Sequence, residues 1–167
     1  QIEVALGDEV GALVFRNLAP LSGDDRAALV AFGRRTGLYI YQQPGNESTI
    51  APLWPEHPEL TYHLPAFGVT LRFEPSDFTQ VNAGINEAMV NRAVALLDPG
   101  PEDRVLDLFC GLGNFSLPLA RLAREVVGVE GAEPLVTRAR DNARRNAIDN
   151  ARFHVADLTA EARDQAW

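Results

Sequence analysis

The stretch from Arg104 to Glu130 constrains this chain more than any other. Arg104–Phe109 reads as a short buried strand and Gly111-Leu112-Gly113-Asn114 as a tight loop. Phe115–Arg124 reads as a helix, and Glu125–Glu130 as a second buried strand carrying Val126, Val127 and Val129. A strand that turns through glycines into a helix and returns to a strand specifies a parallel sheet with crossover helices. The rhythm continues downstream. Leu135, Val136, Ala139 and Ala143 mark one side of a helix over Glu133–Ala147, Arg152–Val155 reads as a third strand, and a further helix is expected from Thr159. Upstream, Ile85, Met89, Ala93, Leu96 and Leu97 recur at helical spacing over Ala83–Leu97, and Asp98-Pro99-Gly100-Pro101 stops that helix.

The first part of the chain has another character. Ile2–Leu6 and Val10–Arg16 flank Gly7-Asp8-Glu9 as a hairpin, and Leu38–Tyr41 reads as a strand. Ser22 is the expected cap of a helix whose apolar face is Ala28, Leu29, Val30 and Phe32 and whose stop is Gly37. Pro44 to Pro58 reads as loop, and Thr61–Leu64 and Gly68–Phe73 as two further strands. The change at Pro75-Ser76-Asp77 sets the expected division. A small α+β domain over residues 1–75 precedes a partial Rossmann-like domain over residues 76–167, an α/β chain as a whole.

Composition narrows the function classes. No apolar run approaches the ~18–20 residues that span a bilayer. The start, Gln1-Ile2-Glu3-Val4, shows no secretory signal, and the absence of an initial methionine suggests a piece of something longer. The single cysteine, Cys110, excludes an internal disulfide and makes a reduced, cytoplasmic setting the default. His57, His63 and His154 have no metal-like spacing and read as structural. All 15 basic residues are arginine, set against 23 acidic ones, and the net charge of −8 opposes a basic grip over the whole surface. A local basic patch stays open.

The chemistry concentrates at the strand ends. Glycines between a strand and a helix let the backbone approach a ligand, with the helix start facing it. Glu130, ending the next strand, can accept hydrogen bonds from the two ribose hydroxyls of an adenosine. Asp157, after the third strand, falls where an adenine amino group would lie. A dinucleotide fingerprint requires a third glycine where Ser116 stands, which leaves the pyrophosphate grip incomplete. Asp107 followed by Gly111 and Gly113 suits S-adenosylmethionine, which carries no phosphate, and this cofactor is favoured over a nicotinamide. The plain alternative, glycines that merely close a βα turn, is weakened by the acidic positions on successive strands.

Three segments carry a resemblance. They are Asp77-Phe78-Thr79-Gln80-Val81-Asn82-Ala83-Gly84, the run from Pro101 through Asp107-Leu108-Phe109-Cys110-Gly111-Leu112-Gly113-Asn114 to Phe115, and Val126-Val127-Gly128-Val129-Glu130-Gly131. With them the chain resembles the bacterial RNA (uracil-5)-methyltransferases, most closely the branch acting on 23S ribosomal RNA. Residues 1–75 then match the family's central domain, and the rest matches the first half of its catalytic domain. The resemblance implies a donor site of Gln80, Phe109, Asn114, Glu130 and Asp157, the last a position often held by asparagine in that branch. It implies transfer of a methyl group to C5 of a uridine, with ribosomal RNA as partner. It also places the nucleophilic cysteine and the general base downstream, so these residues alone are expected to be inactive. A non-catalytic RNA- or partner-binding module with a degenerate nucleotide fold is the alternative.

Three smaller readings complete the sequence. Cys110 stands inside the cofactor motif and reads as a packing residue rather than the nucleophile. Arg138, Arg140, Arg144 and Arg145 crowd one helix, either as a solvated face paired with Glu133 and Asp141 or as RNA contacts; Arg34, Arg35 and Arg72 are equal candidates for RNA. An incomplete parallel sheet exposes a strand edge, through which a dimer is expected.

Overall fold

The structure is a computed structural model that describes residues 1–159. Most of the helix expected from Thr159 lies outside the described residues. The chain divides into two compact units, one of residues 1–62 and 73–77, the other of residues 63–72 and 78–167.

The first unit is built on a four-stranded sheet. Strands β1 (Ile2–Leu6), β2 (Gly11–Arg16), β3 (Tyr39–Gln43) and β4 (Ala51–Trp54) lie in that order, with helix α1 (Gly23–Thr36) between β2 and β3 in sequence. β1 and β2 are antiparallel, with Ile2 opposite Phe15 and Leu6 opposite Gly11. β2 and β3 are parallel, which requires a crossover, and α1 supplies it. Ser22 opens α1 through a reciprocal capping box with Asp25, whose amide N–H donates to Ser22 Oγ at 3.1 Å while Ser22 N–H donates to Asp25 Oδ2 at 3.0 Å. Gly37 closes it at φ 75°. The apolar face expected of α1 is only half-buried, and Ala28 is exposed. Gly33 is the one residue it buries, and a Cβ there would meet Ile40 Cγ1 at 2.7 Å.

β4 corrects the loop expected between Pro44 and Pro58. Proline lacks the N–H of a ladder bond and is confined to sheet edges. Pro52 sits opposite Tyr41 on such an edge, with an irregularity in register between Ile40 and Tyr41. The Trp54–Pro55 peptide bond that follows is cis.

Strands β5 (Leu60–Leu64) and β6 (Val69–Phe73) form a two-stranded sheet around a 3₁₀ turn at Pro65–Phe67. The connection is too short for a parallel crossover, so the pair is a hairpin. Its tip, residues 63–72, belongs to the second unit. That unit continues with α2 (Ala83–Leu97), β7 (Arg104–Leu108), α3 (Ser116–Ala120), β8 (Glu125–Glu130), α4 (Glu133–Arg145) and β9 (Ala151–Val155). β7, β8 and β9 pair in sequence order and all run parallel, with Leu108 opposite Val129 and Glu130 opposite Val155.

Two readings of this unit need correction. The apolar stripe chosen for α2 points outward, with Ile85, Leu96 and Leu97 each at least 60% exposed, while Asn86, Val90 and Val94 face inward. β7 is not buried: it lies at one end of the sheet order, and Leu106 and Leu108 are nearly half exposed, whereas β8 between its neighbours buries Val126 through Val129.

The hairpin tip is held on α4 by asparagines rather than by a strand. Asn146 Oδ1 accepts from Thr70 N–H at 2.8 Å and its Nδ2 donates to Thr70 O at 2.7 Å. One turn earlier, Asn142 does the same for Arg72, accepting at 2.8 Å and donating at 3.1 Å. Side chains at i and i+4 share a helix face, and strand residues at i and i+2 share an edge, so the two amides match the β6 repeat. The Arg121 guanidinium closes the arrangement by donating to the carbonyls of Phe67, Gly68 and Asn146.

Candidate functional site

The loop from Phe109 to Phe115 joins β7 to α3, and its course depends on left-handed backbone. Gly111 and Gly113 adopt φ 55° and 100°, where a side chain would add strain. Open space stands where a Cβ of Gly111 would be. Phe109 also takes φ 60°, which leaves its ring 67% exposed at the carboxyl end of β7. It is therefore no part of the core.

Glu130 ends β8 beside this loop. Its Oε2 accepts from Gly111 N–H at 3.2 Å and its Oε1 accepts from Ala132 N–H at 3.1 Å. Each carboxylate oxygen keeps a second acceptor site. The carboxylate thus fixes the loop to the turn that enters α4 and still offers two oxygens to a vicinal diol. An open glycine backbone, an exposed aromatic ring and a half-buried carboxylate fit an adenosyl group.

Asp107 and Ser116 form the floor of the loop. Ser116 Oγ, fully buried, donates to Asp107 Oδ2 at 2.6 Å and so ties the start of α3 to β7. Burial holds the Asp107 carboxyl above its usual range, against the Ser116 hydroxyl and backbone bonds that lower it. Ser116 is thus a structural element and not merely an absent glycine. α3 is five residues long, shorter than the expected Phe115–Arg124 helix and too short to present an anion-binding terminus. This removes the helix start from the site and weighs further against a pyrophosphate.

Cys110 is buried behind the loop, with its N–H donating to Val129 O at 3.1 Å. Burial, then the charges of Asp107 and Glu130, push the thiol up to about 12. A thiol in that environment carries almost no thiolate at neutral pH, so it packs rather than attacks. Gly128 of β8 makes room for it, since a Cβ there would meet Cys110 Sγ at 2.9 Å and Phe153 Cδ1 at 2.6 Å.

Two asparagines outside the sequence-read set hold the loop from above. Asn86 of α2, 3% exposed, exchanges both amide bonds with Asn114: Nδ2 to Asn114 Oδ1 at 3.0 Å and Asn114 Nδ2 to Asn86 Oδ1 at 2.8 Å. Asn142 of α4 donates to Leu112 O at 3.2 Å. The spacing Asn86, Val90, Val94 was the available signal for the first, since it is a helical stripe with one polar member.

Gln80 and Asp157 are placed by their own neighbourhoods. Gln80 is exposed ahead of α2, whose cap is Asn82, accepting from Ile85 N–H at 3.0 Å. Asp157 follows β9 and accepts from Thr159 N–H at 2.9 Å and Thr159 Oγ1 at 2.6 Å. Among the described residues no cluster of histidine, cysteine and carboxylates could hold a metal, and no helix is long and apolar enough to cross a membrane.

Comparison with known proteins places the chain in a family. The family described as tRNA (Uracil-5-)-methyltransferase matches residues 63–167. A protein named 23S rRNA (uracil(1939)-C(5))-methyltransferase RlmD, from Alkalilimnicola ehrlichii, is 64% identical over 168 residues, covering all of this chain and 38% of that protein. One of the same name from Xanthomonas oryzae pv. oryzae is 54% identical, with the same coverage. The chain therefore spans 38% of the length of these relatives. Among solved structures, the Pyrococcus abyssi tRNA (uracil-54, C5)-methyltransferase, in complex with S-adenosyl-L-homocysteine, matches with a TM-score of 0.67 at 21% identity, covering 92% of this chain and 38% of that one. That likeness establishes the fold: a Rossmann-like methyltransferase sheet. The chain belongs to the tRNA (uracil-5-)-methyltransferase family.

Proposed function

We propose that these residues supply the S-adenosylmethionine site of an enzyme that methylates C5 of a uridine in 23S ribosomal RNA in the cytoplasm. Residues 1–75 act as its central domain and residues 76–167 as the first half of its catalytic domain. The observation that carries the reading is Glu130. Its carboxylate ends β8, gathers the Gly111 and Ala132 N–H groups, and keeps two acceptor sites for a ribose diol. Family membership, and relatives named for the 23S rRNA reaction, support the substrate.

When bound, S-adenosylmethionine supplies an electrophilic methyl group. Glu130 holds the ribose, and the exposed Phe109 ring covers an apolar face of the adenosyl group. Gly111 and Gly113 keep side chains out of the cleft. Asn114, held by Asn86, Gln80 and Asp157 complete the donor contacts. C5 of uracil needs a thiolate at C6 before it can accept a methyl group, and Cys110 cannot serve. The nucleophile and the base are assigned to the remaining length of a protein of the relatives' size.

Calorimetric titration with S-adenosylhomocysteine tests the reading. Glu130→Ala removes both ribose hydrogen bonds, each ~1.5–3 kcal/mol for a charged acceptor, and is expected to weaken binding at least ~100-fold. Unchanged affinity in Glu130→Ala would refute the donor site.

A further inference from the structure

The first unit carries a polar concavity of its own. It has a volume of about 440 Å³ and is lined by Glu3, Arg16, Gln43, Asn46, Glu47 and Ser48. Strand register builds its floor. Arg16 of β2 stands directly opposite Gln43 of β3, and Glu3 of β1 stands opposite Val14, one pleat before Arg16. Residues opposite one another, and residues two apart on a strand, share a sheet face, so the three side chains emerge together. Ile40, three residues before Gln43, points the other way, toward Gly33, so the concavity is on the face that α1 does not cover. The rim is the connection from β3 to β4, and local bonds set its shape. Gly45 N–H donates to Thr49 Oγ1 at 2.9 Å, Thr49 Oγ1 donates to Asn46 O at 2.7 Å, and Ser48 Oγ donates to Asn46 Oδ1 at 2.7 Å. Gln43 at the floor is 4% exposed, and its Oε1 is buried with no hydrogen-bond partner among the described residues. The Arg16 guanidinium and the Glu47 carboxylate have no partner among them either, and Glu3 engages only Oε1, with Gln1 Nε2 at 3.1 Å. A buried acceptor without a donor is costly, and a ligand that brings an N–H removes that cost.

We propose that this concavity binds a guanine base of single-stranded RNA. The proposal rests on the RNA methyltransferase reading above and adds a contact to a base other than the methylated uridine. Two carboxylates against one guanidinium leave the site negative, which opposes a phosphate and suits a neutral group. Among the RNA bases, guanine alone sets two adjacent donors, N1–H and the N2 amino group, beside two acceptors, O6 and N7. A carboxylate accepts the N1–H and one N2–H, the Arg16 fork donates to O6 and N7, and Gln43 Oε1 takes the second N2–H. An unstacked base exposes both of these edges, as single strands do and duplexes do not. The volume falls within the ~300–1,000 Å³ of small-ligand sites.

The test is anisotropy of labelled uridine heptamers with the full-length protein, the central residue being guanosine, inosine or adenosine. The guanosine strand is expected to bind about 10-fold more tightly than the adenosine strand, with inosine, which lacks the N2 amino group, between them. Arg16→Gln and Glu47→Gln alter two exposed residues and change the net charge in opposite directions. Both are expected to bring the ratio of guanosine to adenosine affinity down to about 1, which a change of charge alone cannot do in both. Equal binding of the two strands by the unaltered protein, binding of neither, or a preference that survives both substitutions overturns the proposal. So does a triarginine peptide that Glu47→Gln releases while the guanosine preference stays, which would make this a site for a protein side chain. S-adenosylhomocysteine binding is measured on the same variants. Its retention in them separates this proposal from the donor site, and its absence from the unaltered protein would count against the donor reading alone.

Discussion

Helices α2 and α4 are opposites by composition and perform the same task. α2 is rich in apolar residues, yet Ile85, Leu96 and Leu97 face outward. α4 is dominated by charge, with Glu133, Asp141 and four arginines, and buries a narrow stripe of Val136, Ala139, Asn142 and Ala143. Each helix turns one asparagine inward to the same glycine loop: Asn86 to the Asn114 side chain, Asn142 to the Leu112 carbonyl. The difference lies in what each amide replaces. Asn86 partners another side chain, whereas Asn142 partners three backbone groups, two on β6 and one on the loop. A backbone group cannot be mutated away or turned to water, so the second anchor has the larger consequence.

Replacing Asn142 is therefore the most damaging change. Asn142→Leu keeps the branched shape, with larger terminal groups, and strands the Arg72 N–H, the Arg72 carbonyl and the Leu112 carbonyl. Each orphaned buried group costs ~1–3 kcal/mol, and a total of about 3–5 kcal/mol is expected in urea unfolding. A loss below ~1 kcal/mol would show that water or backbone shifts replace the amide.

Asn86→Ala tests the other half of the comparison. Two hydrogen bonds between side chains are removed, both to Asn114, and the expected loss is about 1–2 kcal/mol together with weaker S-adenosylhomocysteine binding. The two amides satisfy one another, so Asn86→Ala with Asn114→Ala should cost less than the sum of the single changes. Strict additivity would mean that the pair does not act as a unit.

The same contrast shows what was legible in the sequence. Gly111, Gly113 and Glu130 were readable because a left-handed turn and an acidic strand end are local demands that few residue types meet. The β7–α3–β8–α4–β9 order was readable from periodicity. Asn142 was not, and Asn86 was marked only as the polar member of a helical stripe, because an inward asparagine looks like surface until its partner is located, and those partners are 30 and 28 residues away in sequence. The hairpin tip on α4 was hidden for that reason. β4 was hidden by Pro52, which marks a loop in an unpaired segment and an edge in a paired one. The arginines of α4 could not be sorted without the fold, since Arg140 turns to the Phe153 carbonyl while Arg144 pairs with Asp141.

The amino-terminal edge of the β7–β9 sheet offers the smallest effect and the sharpest control. Glu125 of β8 bridges its two neighbours, with Arg104 Nε at 2.7 Å from Oε2 and Arg152 Nε at 3.1 Å from Oε1. The Arg104 and Arg152 hydrogen bonds hold the Glu125 carboxyl below its usual range. Its contribution is therefore present above the ordinary carboxylate range and is lost as pH falls through the lowered value. Asp107, raised by burial, has the opposite sign: its protonated form is favoured in the fold, so stability declines as pH climbs from the ordinary range through the raised value. Glu125→Gln removes only the first contribution. Its exposed pairs are screened, so the expected change is a slight fall in unfolding midpoint near neutral pH that disappears in high salt and in acid. The decline with rising pH that Asp107 imposes should remain in the variant. S-adenosylhomocysteine affinity should also be untouched, because Glu125 and Glu130 close opposite ends of the same strand. If Glu125→Gln weakened that binding, the two ends of β8 would be coupled, and the Glu130 contact with the loop would depend on the far end of its own strand.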